Sequence, residues 1–132
     1  MPDTGHAPGD EMPAIAAFSD LIFGARIRAA AALHGAGTVL ATGPDRIIAA
    51  VSAGARIVFV DLDTRAADPV SLIARLKDEP GTRDARVVAF ASHVRTDLIE
   101  AARTAGADRV LARGAFARLL PDLVRDPLAG DG

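Results

Sequence analysis

The sequence predicts one α/β domain, built as an open parallel sheet of five strands with helices on both faces. Three observations carry that reading. From Ala14 onward, short apolar runs alternate with segments of helical period, and Gly or Pro marks most of the joints. The runs are continuous and β-branched at their centres, as strands covered on both faces are. The chain has 132 residues, half of them apolar, with 12 Leu, 10 Val, 8 Ile and 5 Phe, which supplies one core and not two.

Residues 1–13 carry Asp3, Asp10 and Glu11 among closely spaced Gly and Pro, and read as a tail that is neither a basic leader nor an apolar one. The domain is expected over residues 14–125. Its first strand is predicted over Ala14 to Phe18 and its first helix over Leu21 to His34, closed by Gly35. The second strand, Gly37 to Ala41, leads into a helix from Pro44 to Ala53, where Thr42 and Asp45 have the spacing of a capping box and Gly54 marks the stop. Arg56 to Val60 is the third strand, and Asp68 before Pro69 opens a helix to Asp78 with an N-cap and a first-turn proline. Arg86 to Phe90, the helix Thr96 to Ala105 with Gly106 after it, and Arg109 to Ala112 follow. The last helix, Ala115 to Arg125, contains Pro121, which costs about 3 kcal/mol in a helix interior and predicts a break there. Residues 126–132 read as a second tail.

Charge and composition exclude several classes of function. Fifteen Lys and Arg stand against 17 Asp and Glu, a net charge of -2, so the basic field that nucleic acid needs is missing; without Trp or Tyr, only Phe remains for base stacking. No nucleic acid is expected as a direct partner. There is no Cys, hence no disulfide framework, thiol nucleophile or thiolate metal site, and a reducing, cytoplasmic location is expected. No apolar run reaches the roughly 18 residues of a membrane span.

In an open parallel sheet the functional crevice lies at the carboxyl ends of the strands, where strand order reverses. That directs attention to Ser19 and Asp20, to residues 61–64, to residues 91–93 and to Arg113. Here the segments AFSDLIFGARI (17–27), IVFVDLDT (57–64) and VVAFASHVRTDLIEAARTAGADRVLARGAF (87–116) resemble the receiver domain of two-component response regulators. The resemblance implies a flavodoxin-like (βα)5 fold with strand order 2-1-3-4-5. It also implies an aspartate phosphoacceptor, an acidic pair for Mg²⁺, a hydroxyl after the fourth strand and a lysine after the fifth.

By position, Asp61 is similar to the phosphoacceptor, a carboxylate that becomes competent when a dication offsets the incoming charge. The bland alternative is a loop aspartate bonded to nearby amides. Of the acidic pair only Asp20 remains, because Ser19 holds the other place; Asp20, Asp61 and the backbone carbonyl of Asp63 would form a weakened Mg²⁺ site. Asp20 serves equally as an N-cap for the first helix. Ala91 stands at the hydroxyl place, leaving Ser92 one residue later as a phosphate-site candidate. Arg113 stands at the lysine place, to reach phosphate or to pair with Asp61 or Asp20, and Val110 replaces the family's switching aromatic. No cofactor is required on this reading, with Mg²⁺ as the one the resemblance implies.

Other motifs carry less. Ser92 and His93 are adjacent but lack a third orienting group. AVSAG (50–54) sits inside a helical run and lacks the first glycine of a nucleophile elbow. The glycines of HGAGT (34–38) precede a strand, and His34 is placed to meet a helix C-terminal dipole. An enzyme or nucleotide binder would need a catalytic set that is absent. The sequence therefore points to an atypical receiver-like signalling domain, non-enzymatic, acting by protein contact with impaired or absent phosphorylation; the alternative is a working phosphoacceptor using Asp61 and Mg²⁺. Its partners would be a histidine kinase, an output protein or a second copy. The first helix offers a surface for them, because Ile22, Ala25, Ala29 and Leu33 form one apolar stripe and Phe23, Ile27 and Ala31 another, and only one can face the sheet.

Overall fold

The computed structural model describes residues 14–64, 68–92 and 95–125. Both expected tails, 1–13 and 126–132, lie outside the described residues, as does His93. Ten elements alternate: β1 (Ile15–Phe18), α1 (Leu21–Ala32), β2 (Thr38–Ala41), α2 (Pro44–Ser52), β3 (Ile57–Asp61), α3 (Pro69–Asp78), β4 (Arg86–Ala91), α4 (Thr96–Ala105), β5 (Arg109–Ala112) and α5 (Arg113–Arg125). The strands form one parallel sheet in the order β2-β1-β3-β4-β5. This is the expected flavodoxin-like arrangement.

Strand alternation sorts the core into two layers. Ala16, Phe18, Val58, Val60, Val87 and Ala89 face α2, α3 and α4, together with Ile47, Leu72, Ile73 and Leu76. Ile15, Ala17, Ile57, Phe59, Val88 and Phe90 face α1 and α5, where Phe23, Ile27, Phe116 and Leu120 cover them. Period two along β3 then puts Asp61 in line with Ile57 and Phe59, toward the α1 and α5 layer. That layer holds four aromatic rings in contact; Phe90 and Phe116 stack with centroids 4.1 Å apart, and Phe23 lies 5.1 Å from Phe90.

Two predicted boundaries are corrected. The capping box at Thr42 does not form: Gly43 is the N-cap of α2 and makes no side-chain bond, because Pro44 fixes the first helical φ and leaves Thr42 outside the helix. No break occurs at Pro121 either. Helix α5 runs unbroken from Arg113 to Arg125, two residues earlier than expected, with Pro121 on its exposed side while Phe116, Leu120, Leu123 and Val124 anchor the other. The carbonyl that the proline leaves unbonded therefore belongs to the outer, solvent-facing side of the helix.

The expected helix stops hold, with positive φ at Gly35, Gly54 and Gly106. Gly106 closes α4 at φ 112°, and its amide and that of Ala107 turn back to Arg103 and Ala102. Beside it, the Lys77 ammonium on α3 meets the Asp108 carboxylate at 2.8 Å, the Ala85 carbonyl at 2.8 Å and the Arg83 carbonyl at 3.2 Å. The same Asp108 Oδ2 accepts the Val87 amide at 2.8 Å. One ion pair thus fixes the entry of β4 and the turn before β5 together.

Replacing Gly106 with Ala forces a Cβ into a left-handed conformation and to within 3.0 Å of Lys77 Cγ. A loss of about 1–2 kcal/mol is expected, read as a lower denaturant midpoint at unchanged slope.

Candidate functional site

The carboxyl ends of β3, β4 and β5 converge on one polar cluster. Asp61, the last residue of β3, is 2% exposed. Its Oδ1 accepts the Asp63 amide at 2.9 Å, a local turn that brings a second carboxylate back over the strand end. Arg113, the first residue of α5, donates from one nitrogen, Nη2, to Asp61 Oδ1 at 2.8 Å and to Asp63 Oδ2 at 3.1 Å. Asp63 Oδ2 also accepts the Ser92 amide at 2.8 Å, which ties the ends of β3 and β4.

The guanidinium has an aromatic floor. Its carbon lies 5.1 Å from the centre of the Phe23 ring and 5.2 Å from that of Phe90. Both contacts favour a planar, weakly hydrated cation over a compact ammonium. Because β5 ends at Ala112 and α5 begins at the next residue, the Arg113 side chain starts from a fixed backbone position.

Burial pushes the Asp61 carboxyl above its ordinary value of 3.8. The Asp63 amide and the Arg113 charge pull the other way, and the neighbouring Asp63 charge adds to the rise. The cation therefore offsets only part of the cost of keeping a carboxylate out of water.

The remaining candidates fall into place around this cluster. Asp20 is exposed and caps α1, its Oδ1 accepting the Phe23 amide at 2.7 Å. Of the two carboxylates expected for Arg113, Asp61 is paired with it, and the second place is taken by Asp63 instead of Asp20. Ser19 is buried, and its hydroxyl has no hydrogen-bond partner among the described residues. Ser92 contributes its backbone amide. Ala91 is fully buried as the last residue of β4, so neither it nor its register partner Ala112 offers a side-chain donor. His34 lies past the end of α1, with its backbone amide on the Ala31 carbonyl.

The Asp63 side chain is the participant that residue-by-residue reading missed, having assigned only its carbonyl. The signal was present: Asp61 and Asp63 are spaced for an aspartate turn, which carries the second carboxylate toward whatever cation follows the fifth strand. Among the described residues no group of three His, Cys, Asp or Glu side chains is arranged to hold a metal ion. No helix there is long and apolar enough to cross a membrane.

The fold is that of response-regulator receiver domains. A response regulator from Thermotoga maritima superposes with a TM-score of 0.70 at 20% identity, over 89% of this chain and 98% of that one. A receiver domain from Rhodospirillum rubrum gives 0.65 at 22% identity, over 84% and 90%. A response regulator from Burkholderia pseudomallei, with a phosphorylated aspartic acid and a calcium ion, gives 0.66 at 20% identity over 85% and 68%. No protein-family model matches the sequence, and no curated protein matches it.

The raised carboxyl of Asp61 sets a sign for the pH dependence of stability. Its folded form holds the proton more tightly than the unfolded chain, so its contribution is complete below 3.8 and is lost as pH rises through the folded value. Asp61→Asn should remove that loss. Urea midpoints measured across the acid range, wild type against variant, check it; parallel curves would show that Asp61 does not titrate as described.

Proposed function

We propose that this protein is an atypical receiver-like signalling module, non-enzymatic, that acts by protein contact while phosphorylation of Asp61 is impaired or absent. The observation that carries this reading is the state of the Asp61 carboxylate. One oxygen is held by two donors, and its charge is drawn toward a guanidinium fixed by a second carboxylate and two rings. Attack on a phosphoryl donor requires that charge to be directed outward, with a dication to offset the arriving group. Ala91 supplies no hydroxyl to hold the product.

A protein surface is available on α1. The sheet takes Phe23, Ile27 and Ala31, which leaves the other stripe outward: Ile22 and Leu33 are each 84% exposed, with Ala25 and Ala29 between them. Partners of the expected kind are a histidine kinase, an output protein or a second copy, soluble within a reducing compartment.

A second reading has one observation in its favour. Asp61 ends the central strand, next to the point where strand order reverses between β1 and β3. From there it would serve as a phosphoacceptor with Mg²⁺; the Burkholderia protein, of the same fold, carries a phosphorylated aspartic acid and a calcium ion.

Intact-mass measurement after incubation with acetyl phosphate and MgCl₂ separates the two readings. The expected spectrum shows unmodified chain; stoichiometric addition of one phosphoryl group, lost in Asp61→Asn, would promote the second. For the surface, Ile22→Asp should leave stability within about 0.5 kcal/mol, since the residue touches solvent, while abolishing association measured by light scattering or pull-down. A large drop in melting temperature would place Ile22 in the core.

A further inference from the structure

The divalent ion that the receiver resemblance implies does not fit the side chains present. Of the acidic groups expected to hold it, one is replaced by Ser19, whose buried neutral hydroxyl makes no hydrogen bond among the described residues. The second, Asp20, is exposed and committed to the Phe23 amide at the start of α1. The third, Asp61, is buried and shares its Oδ1 between an amide and a guanidinium. Mg²⁺ requires several oxygens in a near-octahedral shell and binds through carboxylates it can approach directly. Of the two carboxylates left in the expected set, one is bonded to an amide and the other already carries a cation.

That cation is held by more than its charge. Arg113 Nη2 bridges Asp61 and Asp63 at 2.8 and 3.1 Å, the guanidinium rests on Phe23 and Phe90, and the residue opens α5 directly after β5. Neither ring contact would help a hydrated metal ion. A guanidinium is weakly hydrated and stays protonated, so it enters this partly apolar seat at lower cost than a dication that keeps its waters.

We propose that the Arg113 guanidinium is the resident cation of this crevice, standing in place of a divalent ion, so that the fold forms without one. The inference rests on the reading of a receiver-like crevice in which phosphorylation of Asp61 is impaired or absent, and adds that the crevice has no use for Mg²⁺. Arg113 is then a positioning residue: it joins the β3 and β4 ends to α5 and, through Phe23, to the first turn of α1.

Thermal melting of the whole chain in millimolar MgCl₂, against KCl of matched ionic strength, tests this. Wild type should melt at the same temperature in both. Arg113→Ala should melt lower in KCl and recover about 2–4 °C with MgCl₂, a response that Asp61→Asn added to it removes. A saturable rise for wild type, or no Mg²⁺ response in Arg113→Ala, would overturn the proposal. Should Arg113→Ala fail to fold, Arg113→Lys decides: the ammonium keeps the charge and loses the planar seat, so a melting point below wild type with a smaller Mg²⁺ gain is expected. Lysine behaving as wild type in both salts would also overturn it. Phosphorylation is read separately by mass: Mg²⁺ uptake by wild type without phosphoryl transfer sinks this inference alone, whereas phosphoryl transfer sinks the reading beneath it.

Discussion

A carboxylate buried at the end of the central strand is the constraint around which this molecule is arranged. Asp61 continues the alternation of Ile57 and Phe59, so its side chain has to enter the layer between the sheet and the pair α1 and α5. A charge placed there is costly unless paired and hydrogen-bonded. The pairing comes from the far edge of the sheet, through Arg113, and the hydrogen bond comes from two residues along the chain, through the Asp63 amide. Each compensation fixes another part of the structure. The Asp63 turn reaches β4 through Ser92, and the arginine ties the start of α5 to the end of β3.

The aromatic cluster helps to hold this arrangement in place. Phe23, Phe90 and Phe116 pack as one group, and Phe59 meets Phe116 edge-on at 5.2 Å. The ring faces of Phe23 and Phe90 carry partial negative charge and lie against the guanidinium, so these two side chains both close the core and seat the cation. Helix α1 shares in both layers of interaction. Its inner stripe supplies Phe23, and Gly24 admits Leu40 of β2 at a point where a Cβ would collide with that side chain.

Most of the fold was legible because strands buried on both faces leave an unambiguous trace of continuous apolar residues, and because three helix stops require a positive φ that Gly supplies at 35, 54 and 106. The errors have local causes. Thr42 and Asp45 satisfied a spacing rule, but Pro44 has stronger control over where a helix begins. Pro121 satisfied a breaking rule, but four buried side chains on one face hold α5 together across it. At the crevice, the pairing of Arg113 with Asp61 follows from topology, since both lie at carboxyl ends of strands. Asp63 is signalled by its two-residue spacing from Asp61 and not by topology, and the ring floor by neither, since it depends on the depth at which α1 packs.

The ion pair behind Gly106 has a chemical consequence of its own. Lys77 is the only lysine in the sequence, the other 14 basic residues being arginine. Its ammonium is bonded to Asp108 and to two carbonyls, so the one side-chain amine available to acylating reagents or enzymes is also a structural fastener. Acylation at Lys77 would delete the charge that holds Asp108 and would place an acyl group between α3 and the turn before β5. Acylation mapped to Lys77, apart from that of the α-amine, therefore reports on the integrity of that fastener.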